Sequence, residues 1–178
     1  MAMTLITTTP DSTDVATVSF TSSIDSTYKL YIFKFYDCNP ATDEADFTFN
    51  GSTDSGSNYN VTKTTAFFDA YHYEDNSSTS LEYVAANDIA QGTGFQTLTR
   101  NVGNDADSSV AGTLWLFNPS NTTYVKHFYS TTNHQEPRDW SVNAFASGYF
   151  NTTSAIDAIQ FKMSSGNMDG VIKMYGVS

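Results

Sequence analysis

The stretch Tyr28-Lys29-Leu30-Tyr31-Ile32-Phe33-Lys34-Phe35-Tyr36 decides the fold class. Successive side chains of a strand point to opposite faces. Leu30, Ile32 and Lys34 therefore share one face, and Tyr31, Phe33 and Phe35 share the other. Both faces are mostly apolar, so the stretch reads as an inner strand covered on two sides.

The same alternation runs outward in both directions. Val15 to Thr21 mixes β-branched and small residues, and Asp46 to Asn50 turns Phe47 and Phe49 inward. Thr62 to Tyr73, Phe95 to Arg100, Ser109 to Asn118, Tyr124 to Thr131, Trp140 to Phe150, Ile156 to Met163 and Val171 to Val177 follow. About ten short strands at this spacing predict an all-β, antiparallel sandwich or barrel. Asn118-Pro119-Ser120-Asn121 and Ser164-Ser165-Gly166-Asn167 are tight turns, because Pro ends a strand and Asn or Gly accepts positive φ. Asn39-Pro40 and Asn50-Gly51 read as strand breaks, and 51–61 and 101–108 as long polar loops. Leu81, Val84, Ala85 and Ile89 fall at helical spacing with Gly92 as a C-terminal cap, which predicts one short helix. Residues 1–12 form an N-terminal arm and 13–178 a single domain.

Composition excludes several function classes. Eight basic residues face nineteen acidic ones, for a net charge of −11, and no two bases are adjacent. Nucleic-acid binding needs clustered Lys and Arg to displace counterions, and an anionic leaflet attracts the same clusters. Neither partner is expected. The opening residues carry no basic and apolar leader, and no apolar run reaches membrane-spanning length. The five Asn-x-Ser/Thr sequons, at Asn50, Asn60, Asn76, Asn121 and Asn151, follow from a chain that is about one-third Ser, Thr and Asn.

Chemistry-bearing motifs are sparse. Cys38 is the lone cysteine; beside Asp37 it reads as a small, half-buried side chain, not an activated thiolate. His72, His127 and His134 lie far apart, with His134-Gln135-Glu136 on a loop and no zinc spacing. The clusters Asn101/Asn104/Asp105/Asp107 and Asp43/Glu44/Asp46 supply too few oxygens for calcium. Asp69 and Glu74 flank the aromatic run Phe67 to Tyr73, which fits a sugar groove as well as a half-solvated strand. No nucleophile elbow, phosphate loop or dinucleotide fingerprint is present. The expectation is a non-catalytic protein with no metal and no cofactor.

Aromatic content is the oddity. Tyr28, Tyr31, Tyr36, Tyr71, Tyr73, Tyr124 and Tyr129 exceed what a sandwich of this size needs inside. Tyrosine and tryptophan favour subunit interfaces and sugar-binding faces. Tyr71, Tyr73, Trp115, Tyr124, Tyr129 and Trp140 are therefore the candidate interface or ligand-contact residues.

Three segments carry a resemblance. Ser19-Phe20-Thr21-Ser22-Ser23-Ile24-Asp25-Ser26-Thr27-Tyr28, the turn Asn39-Pro40-Ala41-Thr42-Asp43, and the end from Phe161 through Ser164-Ser165-Gly166-Asn167 to Tyr175-Gly176-Val177 are similar to small virion structural proteins of tailed, largely aquatic bacteriophages. The closing hairpin, S-S-G-N-x-x-G-x-I-x-x-Y-G, is the most specific part; Val171 and Met174 stand where Thr and Leu are common. The resemblance implies a jelly-roll sandwich that forms a homo-oligomer, a trimer, as a head decoration or a fibre or baseplate element. Its partners would be copies of itself and capsid or tail proteins, its location the virion after synthesis in the host cytoplasm. Alternatives are a receptor-binding tip that recognises host glycans and a polysaccharide-degrading enzyme.

Overall fold

The computed structural model describes residues 2–9 and 12–178, and it is all-β and antiparallel. The first strands are β1 (Met3–Thr8), β2 (Ser12–Val15), β3 (Val18–Phe20), β4 (Leu30–Pro40), β5 (Ala45–Ser52), β6 (Lys63–Tyr73) and β7 (Thr79–Tyr83). After them come β8 (Gln96–Val102), β9 (Val110–Phe117), β10 (Lys126–Glu136), β11 (Trp140–Phe150), β12 (Ala158–Met163) and β13 (Met168–Val177).

Two sheets face each other. The small one has the order β3-β12-β5-β8; the large one runs β1-β13-β4-β9-β10-β11-β6-β7, with β2 also on β13. The jelly roll is visible once the β9–β10–β11 meander is counted as one unit. With β3 to β8, the meander and β12 as eight successive units, the small sheet has the order 1-8-3-6 and the large sheet 2-7-4-5. β13, β1 and β2 extend the large sheet beyond β4. Met3–Thr8 of the predicted arm is thus an edge strand, paired with β13.

The core is built from phenylalanine. Phe161 meets Phe20, Phe33, Phe35, Phe47 and Phe49 at centroid distances of 5.2 to 6.3 Å, edge-on to Phe20 and Phe35, tilted to Phe33 and stacked with Phe47 and Phe49. Edge and offset contacts suit the ring quadrupole and let many rings share one core. Phenols are left outside: Tyr31 alone among the described tyrosines is fully buried, its hydroxyl held by Asp25.

Several local expectations change. Leu81 and Tyr83 belong to strand β7, with Ala85–Asn87 a single 3-10 turn, so no α-helix forms between 81 and 92. β6 draws the segment out by pairing Ala70 with Leu81 and Phe68 with Tyr83, while the Asp88 carboxylate accepts the Phe67 N–H at 2.7 Å. Tertiary pairing overrides the helical spacing. Asn50-Gly51 lies inside β5, because the Asn50 side chain bonds Tyr59 O and Gly51 N instead of turning the chain. A Cβ on Gly51 would stand 2.8 Å from the Phe150 ring, which explains a glycine there. Cys38 is fully buried in β4, which runs on to Pro40 across a bulge. Gly170 forms the matching bulge of β13 at φ +122°, where side chains are strained.

Candidate functional site

The small sheet is narrower than the large one. Its edge strand β8 packs over β10 and β11, so the inner faces of β6 and β7 continue past it as an overhang. The alternation of β6 passes through the boundary: Phe67 and Asp69 are sealed, whereas Tyr71 and Tyr73 on the same face are half-buried. Trp140 and Val142 stand opposite Tyr73 and Tyr71 on β11. A cleft of about 260 Å³ lies here, lined by Asp69, Tyr71, Trp140 and Val142 together with Glu82, Arg100, Asn101, Glu136 and Arg138, and Tyr73 lines the groove that adjoins it.

Two arginines organise it. Arg100, from the β8 edge, bonds both oxygens of the fully buried Asp69 carboxylate, by Nε at 2.6 Å and Nη2 at 3.2 Å. Nη2 also donates to Glu82 at 3.1 Å, and the Tyr71 hydroxyl donates to the other Glu82 oxygen at 3.1 Å. The bonds from Arg100 to Asp69 hold the guanidinium pKa above its ordinary value. Arg138 Nη2 lies 2.6 Å from the buried Glu136 carboxylate and 3.3 Å from exposed Glu44, and its guanidinium stands 4.8 Å over the Trp140 ring. Trp140 in turn stacks on Tyr73 at 4.1 Å and on Tyr71 at 5.0 Å.

Behind this wall sits His134. It is in β10 and 2% exposed, not on a loop as its polar neighbours suggested. Its Nδ1 is 2.6 Å from Thr99 Oγ1, and Nε2 has no partner among the described residues. Burial pushes its pKa down to about 4, so it is neutral at pH 7. Each carboxylate facing the cleft interior is engaged by an arginine, an arrangement that positions donors and acceptors around a ring-lined floor.

The six candidate residues divide between two places. Tyr71, Tyr73 and Trp140 form the stack just described. Trp115 and Tyr129 stack at 4.6 Å on the outer face of the large sheet, where Phe117 joins Tyr129 at 5.7 Å. Tyr124 lies in the loop before β10, 70% exposed, in neither group. Farther along the outer face Phe68 stacks on Phe145 at 4.8 Å, beside exposed Leu81 and Tyr83.

The outer face has a second property. From the bulges of β4 and β13 to the β7 edge, its outward strand positions include Lys34, Lys173, His72 and His127 but no aspartate or glutamate. Lys34 lies over the Tyr175 ring and Lys173 over Tyr36, at 5.7 and 4.8 Å. The eighteen carboxylates among the described residues are confined to loops, strand ends, bulges and the inner face.

Reading the residues in sequence missed Arg100, Glu82, Glu136 and Arg138 as site members. The available signal was scarcity: the chain has only two arginines, at 100 and 138, and both reach this cleft. Lys63 and Lys126 were also missed. Both are fully buried at the opposite end of the sandwich, on either side of Phe150, with their ammonium groups on the carbonyls of Gly94 and Thr152. Burial lowers both pKa values, that of Lys63 to about 8.

No family model matches the chain, and no curated protein matches it. Among solved structures, a structural genomics protein of unknown function from Bacteroides ovatus is similar over 59% of this chain and 45% of its own length. Its TM-score is 0.31 and its identity 7%.

Proposed function

We propose that the chain is a non-catalytic structural subunit of a phage particle, which assembles with copies of itself through the outer face of its large sheet. One observation carries this reading: a chain of net charge −11 keeps that face free of carboxylates and lays aromatic pairs along it. A strongly acidic protein repels its own copies. Removing acids from one face alone lowers that repulsion where copies would meet, and stacked Trp, Tyr and Phe supply contact area at small entropic cost. The edge strands β7 and β1 are short, and exposed edges of this kind are commonly covered by neighbours. The closing hairpin adds the virion and the copy number of three, through its resemblance to phage structural proteins.

Multi-angle light scattering on the purified chain tests the assembly. The expected mass is three times that of one chain. Trp115→Glu together with Tyr129→Glu is expected to return the monomer with its circular dichroism unchanged. A monomeric wild type at all concentrations sinks the assembly, and absence of the protein from purified particles by mass spectrometry sinks its placement in the virion.

A further inference from the structure

We propose that the overhang cleft binds a neutral saccharide, one hexopyranose unit packed against Tyr71 and Trp140 and the following units along the groove past Tyr73. The inference stands independently of the assembly reading, because it uses the opposite side of the sheet.

A pyranose ring has a face of C–H groups, which packs on aromatic rings, and a rim of hydroxyls, which pair with planar bidentate groups. The cleft offers both. Tyr71 and Trp140 line it, 5.0 Å apart, and Tyr73, stacked on Trp140 at 4.1 Å, continues the aromatic surface into the adjoining groove. Its wall is a fixed set of donors and acceptors: the guanidinium of Arg100 bonds its neighbours through Nε and Nη2, which leaves Nη1 without a partner among the described residues. The side-chain amide of Asn101, which also lines the cleft, is equally uncommitted among the described residues. Asp69 and Glu136 are buried beneath the two arginines and hold them in place, so little ordering remains to be done on binding.

Size and charge narrow the ligand. About 260 Å³ suits a single sugar ring, below the usual range for larger ligands. Trp140 and Arg138 also line a shallower groove of about 800 Å³ that runs on past Tyr73 to Ser77, so further units have a path. Asp69, Glu82 and Glu136 outnumber Arg100 and Arg138, and Glu74, Asp75 and Asp139 stand at the mouth. This negative field turns away uronates, sialates and phosphorylated sugars.

The test is titration calorimetry and saturation-transfer NMR of the full chain with maltohexaose, cellohexaose, chitohexaose and mannohexaose, and with hexagalacturonate as the anionic counterpart. At least one neutral oligosaccharide is expected to bind with sub-millimolar affinity, and hexagalacturonate to bind at least about tenfold more weakly, a difference of about 1.4 kcal/mol. Trp140→Ala or Tyr73→Ala is expected to weaken binding about tenfold or more, while Trp115→Ala, on the outer face, leaves it unchanged. Amide shift mapping on the wild type needs no variant, and its perturbed signals are expected within 69–75, 100–101 and 136–142. Silence from every neutral sugar at about 10 mM, where millimolar binding is worth about 4 kcal/mol, overturns the proposal. Equal affinity for the uronate, or shifts confined to other surfaces, also overturn it. Light scattering on the same samples separates the two claims: loss of the oligomer with sugar binding intact sinks only the assembly.

Discussion

The two aromatic stacks use the same residue types and occupy opposite sides of one sheet. On the inner overhang, Tyr71, Tyr73 and Trp140 sit among two arginines and three carboxylates. On the outer face, Trp115 and Tyr129 are flanked by Phe117 and by strand positions that lack acids. What separates them is the next layer. Opposite the first, the small sheet ends at β8 and polar edge groups must close the gap; opposite the second, the monomer has no layer at all. Aromatic identity alone thus says little about role, and the charges around a ring say more.

The contrast breaks most visibly at Arg100. Asp69 is completely buried, so Arg100→Met leaves a carboxylate in the interior without its counter-charge. Removing one partner of a buried pair costs about 3–5 kcal/mol, and a side chain that is 26% exposed in Arg100 points to the lower end, about 3 kcal/mol. Urea denaturation checks this. The double variant Arg100→Met/Asp69→Leu is expected to regain most of the loss, since it removes the stranded charge as well. On the outer face, Tyr129→Ala removes one stacked ring and is expected to cost only about 1 kcal/mol in the monomer. Equal losses at the two sites would erase the distinction between a charge-closed end and an open face.

His134, behind the cleft wall, gives an effect of similar size that depends on pH. Its folded pKa of about 4 lies below the ordinary histidine value of 6.5, so between these limits the unfolded chain binds more protons. Stability contributed by the neutral ring is therefore full above about pH 6.5 and falls as the pH drops towards 4. The difference of about 2.5 pKa units corresponds to about 3 kcal/mol. His134→Gln removes this dependence, so the gap between wild type and variant should close by that amount from pH 7 to pH 4 in denaturation curves. A constant gap would mean that the ring is hydrated and not sealed behind the cleft.

How much of this was legible in the chain follows from the same contrast. Strand alternation is a local property, and Trp140–Phe150 could be read to its exact ends as β11. The turn residues were legible too: Asn118 and Gly166 adopt the positive φ, 48° and 69°, that their chemistry permits. The segment from Leu81 to Ile89 misled because its spacing also fits a helix, and only pairing with β6, distant information, makes it a strand. His134 looked like a loop residue because Asn133, Gln135 and Glu136 are polar, yet the inward register of β10 carries it under Thr99. The cleft itself joins residues from β6, β7, β8, β10 and β11 and the turn after β10, and no spacing along the chain encodes where the small sheet stops.

Tyr124 provides the smallest effect and the cleanest control on both stacks. It is as aromatic as Tyr71 or Tyr129 but 70% exposed, with no ring partner among the described residues. The loop around it is held by backbone: the Asn121 side-chain oxygen accepts the N–H groups of Thr123 and Tyr124, each at 2.7 Å. These bonds do not involve the phenol, so Tyr124→Ser leaves the turn intact and changes only exposed surface. The expected cost is within about 0.5 kcal/mol, with the oligomeric mass and the saccharide affinity unchanged. A loss of oligomer in this variant would move the contact from the sheet face to the β9–β10 loop. The acid-free face would then be a consequence of strand composition, and the outer stack would no longer mark the proposed contact between copies.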